Sequence, residues 1–199
     1  MKMIVVSALC VLGCCYTVVA GGKNLLMLTD ADVDAALVTR VSQYCSVELD
    51  RVSVNVLPLE TSSKMAWPKL AKVLQGQLGK DDLAAVLLTP IFSGSNAVTV
   101  ASNMQVAVVN LADPRKEGKA QDELYARWIE RETMRAYGLV LGVMTCPNPQ
   151  CAMSDYKVKP ESLKDLGRNY CPYCRKILSD KLNAKGVDLP EIKRFNKGT

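Results

Sequence analysis

Residues 146–174 read Cys146-Pro-Asn-Pro-Gln-Cys151-Ala-Met153, then seventeen residues, then Cys171-Pro-Tyr-Cys174. Each short loop turns the chain so that two sulfurs point the same way. The intervening segment is long enough to bring the pairs together. Zinc accepts four thiolates at about 2.3 Å and then has no open position, so a site of this layout is structural. Pro147, Pro149 and Pro172 stiffen the loops and lower the entropy lost on closure. The expectation is one structural zinc on Cys146, Cys151, Cys171 and Cys174.

Two rival readings use the same residues. In an oxidising compartment, Cys146–Cys151 and Cys171–Cys174 could pair as disulfides. Cys171-Pro-Tyr-Cys174 also repeats the four-residue core of glutaredoxins, where the motif opens a helix and more strands follow. Only twenty-five residues follow Cys174. That is room for one helix and a tail, so the redox fold cannot be completed.

Upstream of Cys146 lies the longest helical pattern, from Ala120 to about Val143. Tyr125, Trp128, Ile129, Thr133, Ala136, Tyr137, Val140 and Leu141 recur at spacings of three and four. Gly138 and Gly142 lie inside it, which implies close packing or a helix end near Gly142. Further back, Leu25–Leu28 reads as a strand, with Thr29-Asp30 as the cap of a helix over Asp32–Cys45. Arg51–Leu57 alternates Val52, Val54 and Val56 as a second strand, and Trp67–Leu78 has helical spacing. Asp82–Leu88 is a buried strand, and Thr89–Asn96 is a loop. Ala97–Ala101 and Gln105–Leu111 form a late hairpin turning at Ser102-Asn103. This order predicts an α/β chain: a mixed, twisted sheet of four to five strands packed with helices, plus a C-terminal four-cysteine subdomain. Cys45, in the first helix, reads as a small buried hydrophobe.

The first twenty residues read as an export signal. Lys2 supplies the positive start, and Ile4–Leu12 is a mostly apolar run too short to span a bilayer. Two cleavage sites compete. Val11-Leu12-Gly13-Cys14 resembles a lipobox and would make Cys14 a lipidated N-terminus. Val18-Val19-Ala20 suits ordinary signal peptidase. The domain reading is therefore residues 1–20 as leader and 21–199 as one domain. Its location is periplasmic or extracellular, with any membrane attachment made through the lipid.

Composition narrows the function. Hydrophobic residues make up 49% of the chain and charged residues 23%, ordinary for a globular domain. Histidine is absent, which removes H-E-x-x-H hydrolases, Ser-His-Asp triads and Cys-His dyads. The net charge of +5 is concentrated late: residues 157–199 hold eleven Lys and Arg against five Asp and Glu, a balance of +6. Such a segment suits an acidic partner or surface, or offsets the formal −2 of a four-thiolate zinc. Phe195 is the only aromatic beyond Tyr173, so no stacking platform for nucleic acid is built.

The run Cys146-x4-Cys151-x-Met153-x17-Cys171-x2-Cys174 matches, in spacing, the second half of the archaemetzincin signature, and the chain over roughly 120–180 resembles that family. Archaemetzincins are metzincin-type zinc peptidases whose full pattern begins H-E-x-x-H-x-x-G-x-x-H. Counting back from Cys146, the resemblance puts Arg135 at the first catalytic histidine, Ala136 at the glutamate, Leu139 at the second histidine and Thr145 at the third. Gly142 keeps the pattern's glycine, and Met153 stands where metzincins place the methionine beneath their zinc. A catalytic zinc needs three ligands, an open site for water and a carboxylate base. None of the four positions supplies its part. The resemblance therefore implies a pseudo-peptidase that binds a peptide or protein. Two alternatives stand: a zinc metallopeptidase with unconventional ligands, and a zinc module that takes an acidic partner through its basic C-terminal segment.

Arg127, Arg131 and Arg135 are four apart and share one helix face. Either they line a cleft for an anionic group such as a peptide carboxylate, or they form a solvated face on which Glu123 pairs with Arg127.

Overall fold

The computed structural model describes residues 22–50, 52–60, 65–90, 96–111, 119–154 and 167–188, with side chains of the long helix from residue 123 onward. The leader, with Cys10, Cys14 and Cys15, lies outside these residues, as do most of the Thr89–Asn96 loop and the basic tail beyond 188.

Elements follow in the order β1 (Asn24–Thr29), α1 (Ala35–Leu49), β2 (Ser53–Pro58), α2 (Trp67–Gln75), β3 (Asp82–Thr89), β4 (Val98–Ala101), β5 (Val106–Asn110), α3 (Lys119–Val140) and α4 (Pro172–Asn183). They build one five-stranded sheet in the order β2-β1-β3-β5-β4. All neighbours are parallel except β4, which runs antiparallel to β5 at one end. This is the mixed sheet and late hairpin that the sequence predicts.

The strands show why helices cover both faces. Leu25, Met27, Ala84, Val86, Leu88, Ala107 and Val109 point into a core shared with α1, α3 and α4. The alternate residues Leu26, Leu28, Ala85, Leu87, Val106 and Val108 pack on Leu70, Ala71 and Leu74 of α2. Strands apolar on both sides are what a parallel sheet between helix layers requires. Cys45 is fully buried in the first core, as expected of a small hydrophobe.

One cap differs from its expectation. Thr29-Asp30 does not start α1. Asp34 does, its carboxylate accepting from Ala36 N at 2.8 Å. Asp30 is drawn into the sheet end: its backbone N–H donates to Leu88 O at 3.2 Å and its carboxylate accepts from Thr89 Oγ1 at 3.3 Å. Helix α3 stops where its glycines suggested. Gly142 has φ of 87°, its N–H reaches Leu139 O at 3.1 Å, and Val143 N reaches Gly138 O at 2.8 Å. That paired bonding closes a helix through a left-handed residue that glycine adopts without a Cβ penalty. The chain is thereby released toward Cys146.

Candidate metal centre

The structure brings all four predicted cysteines together. Cys146 and Cys151 flank the loop after α3, Cys171 caps α4 and Cys174 lies in its first turn. Their sulfurs lie within 4.8 Å of one another. Cys146 Sγ and Cys171 Sγ are 3.8 Å apart, and a tetrahedron of zinc–sulfur bonds of about 2.3 Å has edges of about 3.8 Å. The donor set and its spacing fit one zinc ion. Among the described residues this is the one grouping of three or more metal-binding side chains close enough to share an ion. No disulfide joins the described cysteines.

The local backbone is shaped for charged sulfurs. Cys151 Sγ accepts from Met153 N at 3.4 Å and from Cys171 N at 3.3 Å. Burial pushes the Cys151 and Cys174 thiols above the ordinary thiol range. A divalent cation among four sulfurs reverses that preference, because a coordinated thiol is deprotonated outright. Three ligands are buried, and Cys171 is partly exposed. Helix α4 is tied to the body by Arg175, whose guanidinium donates to Glu48 O at 2.6 Å in the last turn of α1.

No protein-family model and no curated protein matches the sequence. Solved structures do match the fold. The archaemetzincin of Methanopyrus kandleri superposes with a TM-score of 0.65 at 21% identity, over 81% of this chain and 96% of that one. The chain has the archaemetzincin fold. A zinc-dependent peptidase of Methanocorpusculum labreanum gives 0.63 at 17% identity, over 77% of this chain and 99% of its own. The archaemetzincin of Archaeoglobus fulgidus, solved with malonate, gives 0.58 at 17% identity over the same shares.

Within this archaemetzincin fold, the positions matched to the catalytic signature lie at the end of α3. Ala136 is fully buried, Arg135 and Leu139 are partly exposed, and Thr145 is exposed. Met153 is fully buried against α3. A Cβ at Gly138 would collide with Met153 Sδ and stand 3.1 Å from Tyr170 Cε1. The absent side chain lets the methionine pack this closely beneath the helix, and a methyl group there would push Met153 aside.

The middle arginine of the three does not lie on a solvated face. The Arg131 side chain is 2% exposed. It donates to the Glu132 carboxylate, and its Nη2 donates to Ser154 O and Ser154 Oγ, both at 2.8 Å. Glu132, equally buried, has its other oxygen 3.5 Å from Arg135 Nη1. Arg127 is partly buried, with a buried Nε that lacks an acceptor. Glu123 does not join Arg127. Its carboxylate takes two bonds from Arg40 at 2.5 and 2.9 Å. Arg40 also donates to Glu130 at 2.8 Å, and Arg168 donates to the same carboxylate.

The sequence reading missed this buried network. The helical pattern gave no signal of it: Glu130, Arg131 and Glu132 sweep about 200° of the helix surface, an arc that the polar face of an amphipathic helix can hold, and their partners Arg40, Ser154 and Arg168 lie far away in sequence.

Proposed function

We propose that the chain is a pseudo-peptidase: it holds one zinc in a closed four-cysteine site and binds a peptide or protein segment without hydrolysing it. One observation carries the reading. The frame of the fold's centre is intact in Gly142, Gly138 and Met153, yet Arg135, Ala136, Leu139 and Thr145 stand at the ligand and base positions. A guanidinium at the first position repels a divalent ion, and alanine offers no base for a metal-bound water. The four-cysteine zinc would be coordinatively full and would supply structure only.

Support for peptide binding comes from β4. It is the end strand of the described sheet, and a sheet end offers a row of main-chain donors and acceptors to an extended segment. Ser102 Oγ, just after β4, reaches Leu139 O at 3.4 Å, so this strand adjoins the end of α3. Among the three arginines, Arg131 is committed to Glu132 and Ser154. Arg135 also faces Glu132, but its partly exposed guanidinium could meet a peptide carboxylate as well, with Arg127 farther along the helix.

Anisotropy of labelled unstructured peptides, with mass spectrometry of the same mixtures, tests the proposal. Intact peptide bound with an affinity weakened by Arg135→Glu is expected. Chelator-sensitive cleavage contradicts it. Export belongs to the same proposal. A diacylated Cys14 or a free Gly21 at the mature N-terminus supports it, and an intact Met1 removes it.

A further inference from the structure

We infer that the four-cysteine site controls the shape of the degenerate centre, through the turn Ala152–Ser154 that hangs from Cys151. This rests on the zinc half of the proposed function and is independent of any peptide.

The turn has two sides. On the cysteine side, its backbone is held almost entirely by ligand residues and their neighbours. Met153 O accepts from Cys146 N at 3.0 Å, and Ser154 N donates to Cys151 O at 2.9 Å. Ala152 N donates to Asn169 O at 2.9 Å, two residues before Cys171. Met153 N and Cys171 N both donate to Cys151 Sγ. Those last two bonds tie the turn to a ligand sulfur, so whatever fixes the position of Cys151 Sγ fixes the turn with it.

On the helix side, two of the same residues support α3. Met153 fills the notch at Gly138. Ser154 gives Arg131 two acceptors, Arg131 holds Glu132, and Glu132 faces Arg135. A continuous path thus runs from a metal ligand to the residue standing at the first catalytic position.

Arg131 makes the path responsive. Its guanidinium is buried and its Nε already lacks an acceptor. Without Ser154 it would retain only Glu132. A buried ion is tolerated only with its hydrogen bonds made. If the turn loosens, Arg131 has strong reason to leave, and Glu132 and Arg135 must rearrange with it.

The test uses the full chain loaded with one zinc and the same chain stripped by a chelator at constant pH, compared by amide hydrogen exchange. Protection of residues 151–154 and of α3 from Arg131 to Val140 should fall about tenfold or more, while β3 and α2 keep theirs. Unchanged α3 protection after measured zinc loss overturns the inference. So does an equal fall in every protected amide, which would make the metal a source of global stability alone. Arg131→Met with Glu132→Leu provides the second arm, because it removes both bonds to Ser154, the one to its carbonyl included. It should retain one zinc per chain while α3 loses the part of its dependence on zinc that does not pass through Met153. A variant that responds to stripping as the parent does would exclude the route through Arg131.

Discussion

Two centres adjoin each other where α3 meets the late loops, and they differ in how their residues are employed. Three of the four cysteines are also structural elements: Cys171 caps α4, Cys151 Sγ accepts two backbone N–H bonds, and Cys146 N fixes the turn under α3. The positions matched to the catalytic signature have fewer such duties: the main chain of Leu139 helps close α3, and Arg135 faces Glu132. In the archaemetzincin pattern their residues serve a metal and a water. Here Arg135, Ala136, Leu139 and Thr145 are accommodated by ordinary packing and a buried ion pair. On the proposed reading, the fold holds its frame through glycines, a methionine and cysteines while the residues at its reactive positions differ.

The largest expected difference between the centres comes from their ligands. Cys151→Ser removes a sulfur that both binds the metal and accepts two backbone bonds. It should release zinc and unfold the C-terminal third, because metal binding and folding are linked. Calorimetry with metal analysis checks this. Substituting Thr145, at a signature position but exposed, should leave Tm unchanged within error.

Next is the buried pair. Arg131→Met leaves buried Glu132 with only the more distant Arg135 and should cost about 3–5 kcal/mol in urea unfolding, the usual penalty for breaking a buried ion pair from one side. Arg131→Met with Glu132→Leu should recover most of that loss. A double variant no better than the single one would mean that the pair shapes α3 beyond its own electrostatics.

A smaller effect is expected at Gly138. Alanine there forces Met153 aside, costing about 1–3 kcal/mol from overpacking, partly offset by about 1 kcal/mol of helix propensity. Stabilisation in Gly138→Ala would show that the methionine is not fixed beneath the helix.

Much of this was legible in the sequence, and what was not has a physical reason. The apolar runs of β1 and β3, the alternation in β2 and the spacing in α3 gave the sheet and its helices, since each pattern reports burial on the residue's own element. The cysteines were legible because zinc imposes a spacing that few other demands share. Asp30 was misread because a cap and a sheet-end carboxylate look alike until the partner strand is known. Here that partner is β3, through Leu88 and Thr89. Arg131 was read as cleft or surface because its acceptor, Ser154, lies twenty-three residues away, and no helical period reports such a contact. Glu123 was assigned to Arg127 by proximity along α3, whereas α1 brings Arg40 to it from across the fold.

The central claim, a closed zinc site beside a centre that binds no metal, is tested most directly by metal content with a free-thiol count on the full chain, purified without added metal. One zinc per chain is predicted, with Cys146, Cys151, Cys171 and Cys174 protected from alkylation until a chelator is added. Two zincs per chain, or none with those four cysteines in disulfides, would contradict it.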